Sequence, residues 1–498
     1  MRPSGSVISK LCLGLGILSL SLAAGCGGGG SVILPHTTGN YSDASLSGSY
    51  VYQIHGFLVD GEVYREIGVF TADGSGHITA GTDDFASSGS GGVVTNSTSV
   101  TGSYSIINDG TGSITLNSTG LGTFVQSSQI NLAVTLVSTS RVDLMEADGF
   151  AAGAGNAELQ DSSVAGTAPS GTFVFRFHSE IDPQTFAPAS TVGIVTISNG
   201  TVRSGSEDRN GLTVGTSSVS LTGGTFSGSA GTASFTDNTN FTGNFLYFMV
   251  NSGKFVFLSN AAGAVGSGSA EIQSGAVGNG LSGSYAFGSR GDDSFLDADL
   301  ATAGQFTATA ATISGTEDVM QEGTYFPSVN ISSCYSAASN GRVIVSDCST
   351  TAVQQIFWMV SPSRAFFLDD GTSTVEDGTA DLQTAASFSA STFKGQFAIV
   401  MDGIDLTPEA LARIGTLQFD GSSKLTLAEL ANASTSGTVN PGAMTGNYQV
   451  GSNGRIVGSV SNGGGGLDFI MYAISGSDAY ALQPDSATNT SGRVELQH

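Results

Sequence analysis

The sequence predicts an all-β protein built of four tandem antiparallel units, each about 110 residues long and each an eight-stranded up-and-down barrel. Three observations lead there. A closing phrase, Gly-x-Ala/Val-acid-Leu/Ile-Gln, recurs at residues 155–160, 268–273, 378–383 and 492–497. An opening phrase, glycine followed two places later by an aromatic, recurs as Gly48 and Tyr50, Gly171 and Phe173, Gly283 and Tyr285, and Gly395 and Phe397. The composition, 71 glycines but 10 prolines with 39% hydrophobic residues, suits many short strands joined by turns and supplies enough apolar surface to offset chain entropy. A two-sheet sandwich is the alternative fold, because hairpin order alone does not exclude it. The predicted units span 45–160, 168–273, 281–383 and 391–498, after a segment 1–25 and a Gly-rich tether 26–44.

Each unit starts with an alternating strand. In the second unit Phe173, Phe175 and Phe177 alternate with Val174, Arg176 and His178, the period of two of a strand with one buried face. A hairpin follows from Gly68 and its counterparts Gly193, Gly304 and Gly415, and its return strand ends on an acidic couple. The couples are Asp83 and Asp84, Glu207 and Asp208, and Glu317 and Asp318, while the fourth unit keeps Glu429. They read as solvent-facing strand ends, the sharper alternative being rim contacts or weak divalent-cation binding between units.

The middle hairpin carries Tyr104 before Asp109-Gly110 and Tyr448 before Asn453-Gly454, turn pairs that accept the positive φ a tight hairpin needs. Its third copy, Tyr335 before Asn340-Gly341, sets Cys334 and Cys348 nearly symmetrically about the turn, and a disulfide between them is predicted. A late hairpin is the most apolar in every unit: 132–137, 245–250 with 255–258, 356–360 with 365–368, and 469–474. Unbroken apolar runs imply strands covered on both faces, one by the unit's own core and the other by a neighbouring unit or a partner. The closing phrase is then the eighth strand, pairing with the first, with its acid pointing outward. One helix is predicted, capped at Thr407, with Pro408, Glu409 and residues 410–413 in its first turns.

The amino terminus carries Arg2 and Lys10, an apolar run over 11–22 and then Ala23, Ala24, Gly25 and Cys26. This stretch resembles a bacterial lipoprotein signal peptide. The resemblance implies that Cys26 becomes the lipidated residue, that Gly27 permits outer-membrane sorting, and that the membrane is a partner through this anchor. The expected location is exported and lipid-anchored to the outer membrane, on the cell surface or the periplasmic face. In strand number and turn spacing the units resemble lipocalin-like or avidin-like barrels, which implies an alternative role as carrier of a small apolar ligand.

Formal net charge is −25 and only four lysines occur, Lys10, Lys254, Lys394 and Lys424, so a nucleic-acid partner is not expected. No Gly-x-Ser-x-Gly elbow or phosphate loop occurs, and none of His36, His55, His77, His178 and His498 makes a pair at metal-ligand spacing. No metal and no cofactor are expected. His55 and His178 share one repeat position, seven residues after the opening glycine, where the later units place Arg290 and Asp402. A polar strand end is the plain account of that position and a rim contact to a ligand the sharper one. The function expected is binding or structural, with an unknown protein, glycan or small apolar ligand as partner; an enzyme, glycan-active or otherwise, is not expected.

Overall fold

Strand pairing in every unit runs from the first strand round to the last. The computed structural model describes residues 40–498 apart from 90–93, 97–98, 119–128, 183–186, 213–214, 230, 294–297, 322, 406–408 and 486–487. The predicted signal peptide, Cys26 and the predicted tether up to residue 39 lie outside the described residues. In the second barrel the strands are Gly171–Ile181, Ala189–Ser198, Thr201–Gly211, Gly215–Ser227, Thr232–Asp237, Thr242–Asn251, Lys254–Ser259 and Val265–Ile272, each hydrogen-bonded to the next and the last to the first. The third barrel, Gly283–Asp293 through Thr374–Leu382, closes the same way. The first and fourth do so with a short extra strand apiece, Val94–Asn96 and Gly437–Val439, added beside the third strand. The closed eight-stranded barrel, not the sandwich, is the architecture.

The barrels are filled by their own side chains. Tyr50, Phe173, Tyr285 and Phe397 are all fully buried, and each belongs to its barrel's apolar core. The hairpin glycines have a packing reason: a Cβ on Gly68, Gly193 or Gly304 would sit 2.6, 2.8 or 2.5 Å from the ring of Tyr52, Phe175 or Phe287, which lies across it. Inter-unit segments plug the barrel mouths. Leu46, Val164, Val277 with Leu281, and Phe388 with Phe393 enter the four cores, and the middle-hairpin tyrosines hold the plugs. Tyr104 donates to the carbonyl of Leu46 at 2.8 Å, Tyr335 to that of Leu281 at 2.6 Å and Tyr448 to that of Phe393 at 3.2 Å. From Tyr41 onward the predicted tether is docked, its hydroxyl donating to the carbonyls of Val137 and His498 at 3.2 and 3.0 Å.

Cys334 and Cys348 form the predicted disulfide, with Cα atoms 5.0 Å apart. The predicted helix is not there. Residues 406–408 lie outside the described residues, and Ala410–Asp420 is a strand in which Ala410, Ala412 and Ile414 are buried while Leu411 and Arg413 alternate with them. Ala412 and Ile414 pack on the first barrel, so tertiary packing overrides the local helix signals. Glu409 instead accepts backbone N–H bonds from Thr435 and Ser436 at 2.7 and 2.8 Å.

The four barrels form a closed ring. The outer face of the opening strands of one barrel packs on the late apolar hairpin of the next: Val51 and Ile67 on Leu246 and Leu258, Val174 and Val192 on Ile356 and Trp358, Ala286 and Ala303 on Tyr472 and Leu482. Ala412 and Ile414 of the fourth barrel then meet Ala133 and Met145 of the first. Closing glutamines latch each contact. Gln160 donates to the Met249 carbonyl at 2.7 Å, Gln273 to Met359 at 2.9 Å, Gln383 to Ala473 at 2.8 Å, and Gln497, in the fourth barrel, to Leu136 of the first at 2.7 Å.

Two acids of the predicted couples pin this ring. Asp208 receives Arg342 Nε and Nη2 at 2.8 and 2.6 Å and the indole of Trp358, the chain's single tryptophan, at 2.8 Å. Asp318 holds Arg455 in the same two-point manner at 2.7 and 2.9 Å. An Asp208→Ala variant leaves a guanidinium and an indole without their buried acceptor, so unfolding free energy is expected to fall by about 3 kcal/mol. Trp358 emission should shift to the red with it, and a variant with unchanged melting and unchanged emission would contradict the assignment.

Candidate functional site

Because the opening strands alternate, odd and even residues divide between barrel core and ring. Inward-facing Tyr50 and Tyr52 leave Gln53 and His55 outside, and in the later barrels His178, Arg290 and Asp402 are outside in the same way. All four residues of that repeat position converge on the ring axis, where they line a cavity of about 450 Å³. It reaches solvent, since the His55 and Arg176 side chains are 39% and 36% exposed.

The lining is charged but balanced. Seven cationic side chains (Arg65, Arg141, Arg176, Lys254, Arg290, Arg364 and Arg493) face seven carboxylates (Glu158, Glu180, Glu271, Asp292, Asp377, Asp402 and Glu495). Most bridge two barrels. Asp402 lies 2.6 Å from Arg290 of the third barrel and 3.0 Å from His55 of the first. His178 Nδ1 lies 2.7 Å from Asp377 Oδ1 of the third barrel, and Arg65 of the first pairs with Glu180 of the second. The acid of the closing phrase joins in: Glu158 meets Lys254 at 2.5 Å, Glu271 meets Arg364 at 2.9 Å, Asp381 meets Arg493 at 3.4 Å and Glu495 meets Arg141 at 2.8 Å. Each acid thus points out of its own barrel toward the next, as its alternation predicted.

These pairings tune ionisation. Burial pushes Asp402 up, but Arg290 and His55 outweigh it and hold the carboxyl well below its ordinary range. Glu180 is likewise held down against its burial by Arg65 and His178, and Asp377 by Arg176 and His178. Asp292 is raised, by burial and then by the charge of Glu180.

The acidic couples occupy other places. Within each couple the first acid turns into its barrel and the second toward the neighbouring barrel. Asp83 accepts from the buried Tyr52 hydroxyl at 2.9 Å, Glu317 packs over Gly304, and Glu429 pairs with Arg413 at 2.8 Å. The solvent-facing reading fails: Asp84, Asp208 and Asp318 are buried because the ring covers the strand surface that would otherwise face water, and Asp83 because it points into its own barrel. The structure brings none of the three couples to the axial cavity. Sequence reasoning therefore singled out His55 and His178 but missed their setting. The signal that could have found it was the four-fold repeat position itself, polar in every copy.

Two acids raised by burial give a pH signature. Burial and Asp83 push Asp84 up to about 7, and burial raises Glu207 to about 7 despite Arg209. A raised carboxyl binds its proton more tightly in the folded state, so the stability it contributes is present below the ordinary carboxylate range and is lost as pH rises through about 7. Asp84→Asn should therefore raise the melting temperature relative to wild type at about pH 8 and leave it nearly unchanged at about pH 4. Equal effects at both pH values would contradict the burial of a protonated Asp84.

No family model matches the chain, and no curated protein matches it. Among solved structures, a double mutant of transferrin-binding protein B from Haemophilus parasuis aligns at 8% identity over 72% of this chain and 82% of that chain, with a TM-score of 0.19. Isotype 1 transferrin-binding protein B from serogroup B Neisseria meningitidis aligns at 9% over 72% and 83%, TM-score 0.17. The intact Ap-TbpB with both lobes aligns at 9% over 90% and 95%, TM-score 0.17. The likeness is a weak one of β-barrel fold, and scores of this size carry nothing about ligand or partner.

Proposed function

We propose that this chain is an exported, lipid-anchored envelope protein with a binding role, and that its binding site is the axial cavity between the barrels. The ligand class is a small polar molecule carrying both signs of charge. One observation carries this reading: the barrel interiors are packed with aromatic and aliphatic side chains, while a cavity of about 450 Å³ at the ring axis presents seven cations and seven carboxylates. That volume lies in the range of small-molecule sites. A net charge of −25 over the whole chain would repel anions, but the balanced lining of the cavity favours a zwitterion.

Two alternatives are weaker. An apolar carrier needs a hollow barrel, and the void between Tyr64, Glu66 and Ile130 of the first barrel holds about 10 Å³, room for roughly one water. A glycan-active enzyme needs a carboxyl kept protonated as general acid opposite an ionised partner. Asp292 is raised beside Glu180, but Glu180, Asp377 and Asp402 are held in their charged form by arginine and histidine, which suits recognition. Location on the envelope rests on the signal-peptide resemblance at Cys26.

Intact-mass and native mass spectrometry of the chain extracted from membranes in mild detergent, then incubated with a library of zwitterionic dipeptides, tests both halves. The expected chain begins at an acylated Cys26 and retains a dipeptide that the Arg290→Gln, Asp402→Asn double variant loses at least tenfold. An unmodified Cys26 would remove the anchor, and dipeptide retention unchanged in the double variant would remove the axial site.

A further inference from the structure

One corner of the axial cavity is arranged differently from the rest. Glu180 keeps a guanidinium partner in Arg65, as the lining carboxylates elsewhere keep theirs, but His178 Nε2 also faces Glu180 Oε1 at 3.5 Å and Asp292 Oδ2 at 3.6 Å. Those separations are too long for good hydrogen bonds. They match the edge of a tetrahedron with about 2.0–2.2 Å bonds, which is about 3.4 Å. Ligand atoms of the three side chains all lie within 4.8 Å of one another.

The three donors are fixed by the fold. His178 lies on the strand Gly171–Ile181 and Glu180 at the register shift between Ser179 and Ile181 that follows it, and Asp292 comes from the strand Gly283–Asp293 of the next barrel. The other ring nitrogen, Nδ1, lies 2.7 Å from Asp377 Oδ1, itself an acceptor for the Ser190 hydroxyl at 2.9 Å. That carboxylate accepts from Nδ1–H and leaves Nε2 as the nitrogen that faces the two acids, the side from which carboxylate-backed histidines bind metals. Arg65 pairs with that same Glu180 Oε1, so the Glu180 oxygen left to a metal is Oε2. A second observation points to a missing partner: Asp292 Oδ2 is a buried oxygen with no hydrogen-bond partner.

We infer that His178, Glu180 and Asp292 form a divalent transition-metal site at the junction of the second and third barrels, with Asp377 as the group that orients His178. The inference rests on reading the axial cavity as the binding site and names one ligand of it. Asp292 and Glu180 bring two carboxylates to a dication, the second shared with Arg65, and an imidazole donor beside two oxygens favours zinc over calcium or magnesium. On binding, any proton on Nε2 passes to solvent and its lone pair goes to the metal. The cavity supplies room for water, or for the carboxylate of a zwitterion, at the remaining position.

The test uses the full chain in detergent, freed of metal with EDTA and dialysed, then titrated with zinc chloride by calorimetry and with cobalt chloride by visible absorption. One zinc per chain is expected, with cobalt d–d bands of a tetrahedral N,O site. His178→Gln and Asp292→Asn should each weaken zinc binding at least tenfold and abolish the cobalt bands. The two variants alter different barrels, and Trp358 emission reports that each remains assembled. Zinc bound equally by wild type and both variants, or no zinc bound at about 100 μM, overturns the site. Dipeptide retention by the EDTA-treated chain separates the two readings: retention without zinc binding removes the metal site alone, and loss of both removes the cavity as a binding site.

Discussion

Every barrel ends on a glutamine whose side-chain amide donates to backbone carbonyls of the barrel that follows, and the last glutamine donates to the first barrel. Gln273 reaches Met359 and Asn340, Gln383 reaches Ala473 and Asn453, and Gln497 reaches Leu136 and Asp109. This is a head-to-tail contact, in which one face of a unit meets a different face of the next. Such a contact either closes into a ring or runs on indefinitely. Here the rotation from one unit to the next closes it after four, where Gln497 of the fourth barrel reaches the first. Closure covers both faces of the late apolar hairpins, as their unbroken apolar sequence requires.

The ring makes its own polar centre. Outward-facing residues of the first and last strands nearest the axis line a cavity open to solvent instead of a packed interface. Charge pairing suits that setting. Each barrel supplies acids that the next barrel's bases answer, as Glu271 and Arg364 do at 2.9 Å and Glu495 and Arg141 do at 2.8 Å. The same repeat position, filled by His55, His178, Arg290 and Asp402, has diverged in chemistry while keeping its place. Equivalent barrels therefore enclose a site whose four sides differ, as recognition of an asymmetric small molecule needs.

Much of the fold was legible because its signals are local and repeated. The alternation of Phe173, Phe175 and Phe177, the turn pair at Asn453 and Gly454, and the spacing of Cys334 and Cys348 each depend on neighbours within one hairpin. The helix at residues 410–413 was misread for the complementary reason. Its cap and proline are real local preferences, but Ala412 and Ile414 are held as strand by a barrel far away in sequence. The site was legible only in outline, since His55 meets Asp402 and His178 meets Asp377 across barrel boundaries. No spacing within a unit encodes that meeting. Asp208 and Asp318 looked like solvated strand ends for the same reason, and their guanidinium partners arrive from the next barrel.

Ring closure between the fourth barrel and the first is the claim on which the cavity depends. Small-angle X-ray scattering from residues 40–498 measures it without reference to any ligand. A closed ring predicts a radius of gyration of about 23 Å, the value for a compact body of that length. A value of about 30 Å or more, as four barrels strung in a row would give, would contradict closure and with it the axial site.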